Sequence, residues 1–176
     1  AMCGGDVLLK GANPLFLHSL ISKIDKYACQ IECEYDKIRV KSLGKPLSLG
    51  KVETAVYPGF PTDLQAQILA LQTISSGSCM IVENLFESRF KQVPELIKMG
   101  ASIHIKDRIA IVKGVDKLFG ADVIATDLRG SASLVLAGLS AEGYTTLNST
   151  KFIDRGYERI EEELSQLGGD IKRVED

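Results

Sequence analysis

The residues of this chain whose types and spacing could do chemistry come in duplicate. Thr62-Asp63-Leu64 opens one apolar helical run and Thr126-Asp127-Leu128 opens another. A glycine follows each acid at a similar remove, Gly77 after Asp63 and Gly143 after Asp127. An arginine then follows each glycine at the same spacing, Arg89 in one copy and Arg155 in the other. Further on, Leu96-x-x-Met99-Gly100-x-x-Ile103 recurs as Leu164-x-x-Leu167-Gly168-x-x-Ile171. An acidic helix start with a later arginine, twice over, describes a duplicated unit with a polar end. A third arginine, Arg129, falls in the first turn of its helix, where the dipole disfavours a cation unless an anion is present. Helix starts and arginines converging at one sheet end would handle a phosphate or carboxylate.

Each feature also has a plainer reading. Thr62 or Asp63, and Thr126 or Asp127, could simply cap their helices, worth about 1 kcal/mol. Arg89 lies beside Glu87 and Arg155 beside Asp154, which would make surface ion pairs of little value. Gly130-Ser131 would admit a ligand to the backbone, or would let a helix pack closely. The segment Tyr57-Pro58-Gly59-Phe60-Pro61 tips the balance for Asp63, because two prolines and a glycine hold an aromatic pair rigidly before it.

The elements that would position these residues read as three helix–strand units. In the first, about 1–48, a short strand Asp6–Lys10 precedes a helix from Leu15 to Tyr27 capped by Asn13-Pro14, then strands Gln30–Tyr35 and Ile38–Val40. The second, about 49–120, runs from strand Lys51–Ala55 through helix Leu64–Ile74 and strand Cys79–Glu83 to helix Val93–Met99 and hairpin Ser102–Val112. The pattern Ile24-x-x-Tyr27-Ala28-x-x-Ile31 of the first unit matches Leu96-x-x-Met99-Gly100-x-x-Ile103 of the second. The third, about 121–176, has strand Asp122–Ala125, helix Leu128–Ala141 and strand Tyr144–Asn148. Helix Tyr157–Leu167 and a final strand, Asp170–Val174, complete it. Repeated strand–helix–strand–helix–strand–strand implies sheets with helices packed on one side. The first and third units are incomplete, so we expect part of a longer chain.

Composition narrows the classes. The chain has 176 residues, 45% apolar and 25% charged, which suits one soluble domain with a proper core. A net charge of −2 lacks the basic excess of a nucleic-acid surface. No apolar run reaches the length of a membrane span, and no secretory leader pattern is present. Cys3, Cys29, Cys33 and Cys79 lack metal or disulfide spacing, which fits a reducing cytoplasm; Cys29 and Cys33 should pack as small hydrophobes. His18 and His104 have no neighbour suggesting a metal or a catalytic pair, and His104 should face solvent.

The long motifs resemble the enolpyruvyl transferases, in particular those of bacterial cell-wall synthesis. The resemblance is carried by YPGFPTDLQAQ (Tyr57–Gln67), ENLFESRF (Glu83–Phe90), VPELIKMGA (Val93–Ala101), ATDLRGSASLVLAGLSAEG (Ala125–Gly143) and IDRGYERIEEEL (Ile153–Leu164). It extends in order over essentially the whole chain. It implies an α/β fold, an inside-out α/β barrel of βαβαββ repeats with pseudo-threefold symmetry, incomplete at both ends. It also implies that residues 1–176 are most of the C-terminal domain of a two-domain enzyme with substrates in the cleft between the domains.

The resemblance implies a reaction as well. Phosphoenolpyruvate would give its enolpyruvyl group to the 3'-hydroxyl of UDP-N-acetylglucosamine and release phosphate, with no cofactor or metal. Asp63 would be the general base on the attacking hydroxyl, and Leu85 would meet the UDP-sugar mainly through its backbone. Arg129 and Arg155 would face the phosphoenolpyruvate phosphate and carboxylate, with Arg89 at the same mouth. Asp127 would pair with a lysine of the other domain. The family's general-acid cysteine and phosphoenolpyruvate-binding lysine belong to that other domain, and none of the four cysteines here matches the motif. The chain alone should therefore be inactive. A non-catalytic module of the same fold, an RNA 3'-phosphate cyclase relative and the shikimate-pathway sister enzyme are the alternatives. Retention of Asp63, Arg89, Arg129 and Arg155 weighs against the first, the acidic balance against the second, and the PTDLQAQ and DLRGSAS segments against the third.

Overall fold

Two segments of the chain make the same parallel strand–helix–strand turn, and each delivers one of the paired acids. The computed structural model describes residues 1–174; the last two positions of the third unit lie outside the described residues. Strand β4 (Lys51–Glu53) leads through helix α2 (Gln65–Thr73) to β5 (Ser78–Val82), and β4 and β5 pair in parallel with Lys51 opposite Met80. Strand β8 (Asp122–Ile124) leads through α4 (Leu128–Ser140) to β9 (Thr146–Asn148), again in parallel, with Asp122 opposite Thr146.

The hairpins repeat as well. Strands β2 (Cys29–Cys33) and β3 (Lys37–Ser42) form one, β6 (Ser102–Lys106) and β7 (Ile109–Lys113) the other. A preceding strand lies antiparallel against the second arm of each: β1 (Asp6–Lys10) on β3, and β5 on β7. The sheets are thus β1-β3-β2, β4-β5-β7-β6 and β8-β9. The correspondence read between the first two units is matched by this shared topology.

Helix α2 sits inside the molecule, against β5 and β7 of the four-stranded sheet. Eight of its residues are buried, on every side, as expected of a helix without a polar stripe. It packs along α4, and Leu69, Ile81, Leu96, Met99, Leu118 and Leu134 fill the core around them. Strands β6 and β7 keep one face in water, so helices inside and sheets outside make the inside-out α/β arrangement. Burying the core leucines and isoleucines stabilises the fold by roughly 1.5–3 kcal/mol each.

Several boundaries differ from the sequence reading. The first helix divides into a 3-10 turn, Pro14–Leu17, and α1 (His18–Ile24), with Asn13 accepting from the Leu15 N–H at 3.0 Å as its cap. The second helix of the middle unit, α3, covers Val93–Lys98, and the last helix, α5, only Ile160–Gln166. Asp170–Val174 is irregular, not a strand. A strand needs a ladder for its backbone groups, but here the segment is held by side chains: Arg173 binds Asp154 at 2.6 Å and Glu161 at 2.8 Å. Cys29 is buried, but Cys33 is exposed on the outer end of β2 and does not pack. His104 faces solvent.

Candidate active site

Helices α2 and α4 pack with their starts together, and that brings Asp63 and Arg129 face to face. Arg129 Nε donates to Asp63 Oδ1 and Nη2 to Oδ2, both at 2.9 Å. This is the bidentate fork in which an arginine holds a carboxylate. Arg89 Nη2 stands 3.6 Å from the same Oδ1, and its guanidinium lies 4.5 Å from the centroid of the Phe86 ring. The anion required by a cation in the first turn of α4 is therefore the side chain of Asp63. Hydrogen bonding from Arg129 holds the Asp63 carboxyl below its ordinary value; partial burial opposes this, and Arg89 adds attraction. The same hydrogen bonds raise Arg129.

The two acids of the repeat have separated in role. Asp127 caps α4, its Oδ1 accepting from the Gly130 N–H at 2.9 Å. Asp63 caps nothing: the 3-10 turn Thr62–Leu64 starts after Pro61, and neither it nor α2 has a side-chain cap. The capping alternative therefore holds at Asp127 and fails at Asp63. The adjacent-acid reading fails for both arginines. Glu87 pairs with Arg108 at 2.9 Å, and Asp154 pairs with Arg173.

Arg155 is exposed and joins none of the ion pairs among the described residues. Its neighbour Gly156 packs so tightly that an added Cβ would lie 2.9 Å from Leu128 Cδ2. The Arg155 loop is thereby held against the residue that precedes Arg129. Gly130 has a packing reason too: a Cβ there would meet Gln92 Cβ at 3.2 Å and Asp127 Oδ2 at 3.1 Å. Close packing, not ligand access, accounts for Gly130-Ser131, with Ser131 wholly buried and its hydroxyl bonded to the Asp127 carbonyl.

The segment before Asp63 is anchored at one end only. Phe60 is 4% exposed and belongs to the core, whereas Tyr57 is 93% exposed. The aromatic pair is thus an anchor and a projecting ring. Gly59 allows the tight return, because a Cβ would come within 2.5 Å of Ala55 Cβ. Leu85, Phe86, Glu87, Ser88, Arg89 and Arg108 line an open cavity of about 490 Å³, which Arg89 joins to Asp63. The Leu85 N–H is spent on Glu83 at 2.9 Å, so of its backbone polar groups only the carbonyl is left for a ligand.

Glu83 is the residue that sequence reasoning passed over as the end of a strand. It is 1% exposed. A charged residue closing an apolar strand, between Val82 and Asn84, was the available signal, because a buried carboxylate must be satisfied by donors. Among the described residues, no group of three or more His, Cys, Asp or Glu is placed to hold a metal, and no helix is long and apolar enough to cross a membrane.

Known proteins match the chain in sequence and in fold. The family model for EPSP synthase (3-phosphoshikimate 1-carboxyvinyltransferase) matches residues 1–164. UDP-N-acetylglucosamine 1-carboxyvinyltransferase of Xanthobacter autotrophicus is 48% identical over 99% of the chain, and that of Magnetococcus marinus 50% identical over 99%. The chain spans 41% and 42% of the length of these relatives. Among solved structures, the enolpyruvyl transferase NikO from Streptomyces tendae superposes with a TM-score of 0.84 at 30% identity, over 95% of this chain and 40% of that one. EPSP synthase from Acinetobacter baumannii shares the fold, with a TM-score of 0.70 at 18% identity over 98% of this chain and 43% of its own. In sequence and in fold, the chain belongs to the EPSP synthase family, the enolpyruvyl (1-carboxyvinyl) transferases.

Proposed function

We propose that this chain is the base-bearing part of an enzyme that transfers enolpyruvyl from phosphoenolpyruvate to the 3'-hydroxyl of UDP-N-acetylglucosamine. That reaction would serve peptidoglycan precursor synthesis in the bacterial cytoplasm. The observation that carries the reading is Asp63, a carboxylate that caps no helix and is bracketed by Arg129 and Arg89. Relatives near 48% identity bearing that enzyme's name favour this acceptor over a shikimate one.

Asp63 would take the proton of the 3'-hydroxyl as its oxygen adds to C2 of phosphoenolpyruvate, while C3 gains a proton from an acid outside this chain. Loss of that proton from C3 with departure of phosphate would then restore the double bond. Arg129, Arg89 and Arg155 would spread their charge over the donor's phosphate and carboxylate as the cleft closes on it. Because Arg129 holds Asp63 through both oxygens, ligand entry would have to part them. Leu85 would offer its carbonyl to the UDP-sugar, and Asp127 would keep α4 in register and reach a lysine of the second domain. Leu15 and Phe16, 76% and 86% exposed, are apolar surface suited to contact with the rest of a longer protein.

The test is phosphate release from phosphoenolpyruvate and UDP-N-acetylglucosamine. The longer protein should turn over, and this chain alone should match the blank, because acid and base would sit on separate domains. Turnover by the longer protein with shikimate 3-phosphate, and none with the UDP-sugar, would reject the acceptor. Turnover by the purified chain would reject the division of labour.

A further inference from the structure

A buried carboxylate, itself shut off from solvent, organises the site from behind. Glu83 Oε1 accepts from Thr54 Oγ1 at 2.9 Å, the Leu85 N–H at 2.9 Å and the Phe86 N–H at 3.1 Å. Its Oε2 accepts from Thr62 Oγ1 at 2.9 Å. Four donors come from three segments: the end of β4, the turn that starts α2, and the loop after β5. Thr54 Oγ1 in turn accepts from the Asn84 N–H at 2.9 Å, tying the loop a second time.

These contacts close a ring. Glu83 holds the backbone of Phe86, whose ring lies against Arg89. Arg89 faces Asp63, Asp63 follows Thr62, and Thr62 returns to Glu83. We propose that Glu83 is a positioning residue that sets Asp63 against Arg89 and fixes the Leu85 peptide with its N–H turned inward. The proposal rests on the reading of Asp63, Arg89 and Leu85 as substrate-facing. Glu83 itself is walled off and touches neither substrate nor reacting atom.

The carboxylate is suited to this because its oxygens only accept, and every partner here donates. A buried group meeting four donors also cannot shift without leaving some of them unsatisfied. The loop and the turn are therefore held in one register although neither is part of a strand ladder. Glutamine at this position can keep the ring. Its carbonyl oxygen would accept the three donors now on Oε1, and its amide would donate to Thr62 Oγ1, reversing that one hydrogen bond.

The experiment follows Asp63 by carboxyl-carbon NMR titration in the full chain, which needs no substrate. Asp63 is faced by Arg129 and Arg89, and its carboxyl lies below the ordinary range because of them. In Glu83→Ala and Thr62→Val the midpoint should rise toward the ordinary carboxylate value, as the turn loses its tether and Asp63 leaves its arginines. Glu83→Gln should titrate like the parent chain. Ile81→Val, a core change that weakens the fold without touching the ring, should also leave Asp63 unchanged. An unchanged midpoint in Thr62→Val, or Glu83→Gln behaving as Glu83→Ala does, overturns the proposal. If Glu83→Ala does not fold, Thr62→Val decides alone. Because the readout uses no nucleotide-sugar, it can fail while the transfer reaction stands, and the reverse.

Discussion

Arg129 and Asp63, far apart in sequence, are joined by two charged hydrogen bonds, both at 2.9 Å. Each stands at the start of a helix: Asp63 matches Asp127 in the duplicated unit, and Arg129 lies two residues beyond Asp127. Asp63 thus occupies Arg129 with the geometry a ligand carboxylate would use. Removing that occupant should free the cation. Asp63→Asn should bind inorganic phosphate more tightly than the parent chain, by roughly fivefold, the equivalent of about 1 kcal/mol for an exposed pair. Calorimetry at low ionic strength would measure it, and equal or weaker binding would show that the pair does not compete with anions.

Acid should loosen the fold through the same contact. The Asp63 carboxyl is depressed in the folded chain by Arg129, so its contribution is complete above its unfolded-state value of 3.8. That contribution is lost as pH falls through the lower folded value. The side chain is 55% exposed, which limits it to at most about 1 kcal/mol. Urea midpoints measured from about pH 6 down to about pH 2 should fall more steeply in the parent than in Asp63→Asn. Parallel curves would remove Asp63 from the acid response.

The two acids should answer differently to alanine. Asp127→Ala removes the α4 cap and should cost about 1 kcal/mol of stability. Asp63→Ala removes no cap and should cost less. In the proposed transferase, Asp63→Ala should cut turnover by roughly 100-fold or more, the scale of a lost general base. A normal turnover number together with a lowered melting temperature would reduce Asp63 to a structural ion pair.

Thiol labelling should sort the cysteines. Burial pushes the Cys79 thiol up to about 11, and Cys29 is buried as well. Cys3 and Cys33 are exposed. An aromatic disulfide reagent at neutral pH should therefore label Cys33 first, Cys3 more slowly because partial burial raises its thiol, and Cys29 and Cys79 only on unfolding. Rapid labelling of all four would mean that β2 and β5 open readily.

The duplicated Thr-Asp-Leu start, the hairpins and the strand–helix–strand turns were legible because each is a local pattern, set by period, turn residues and spacing. The final strand was not. Asp170–Val174 stands where the repeat would put one, but a strand exists only when a neighbour supplies its ladder, and here Arg173 is engaged by Asp154 and Glu161 instead. The paired role of Asp63 was half legible. Arg129 signalled a missing anion, yet nothing in the spacing said that the anion lay in the previous unit, because that depends on how α2 packs along α4. Glu83 was hidden for a different reason. Its importance lies in four donors from separate segments, and no periodicity records where donors converge.

Helix α2, buried on every side, gives the residue at its start an unusual footing. Segments exchange their amide hydrogens at rates set by how easily they open, and a helix sealed in the core opens only when the whole molecule does. The α2 amides should therefore exchange with the slowest class, at the free energy of global unfolding. Asp63 is exposed to solvent but hinged to that immobile helix, so heat or denaturant should not free it gradually. Its orientation toward Arg129 should persist up to the unfolding transition and vanish within it.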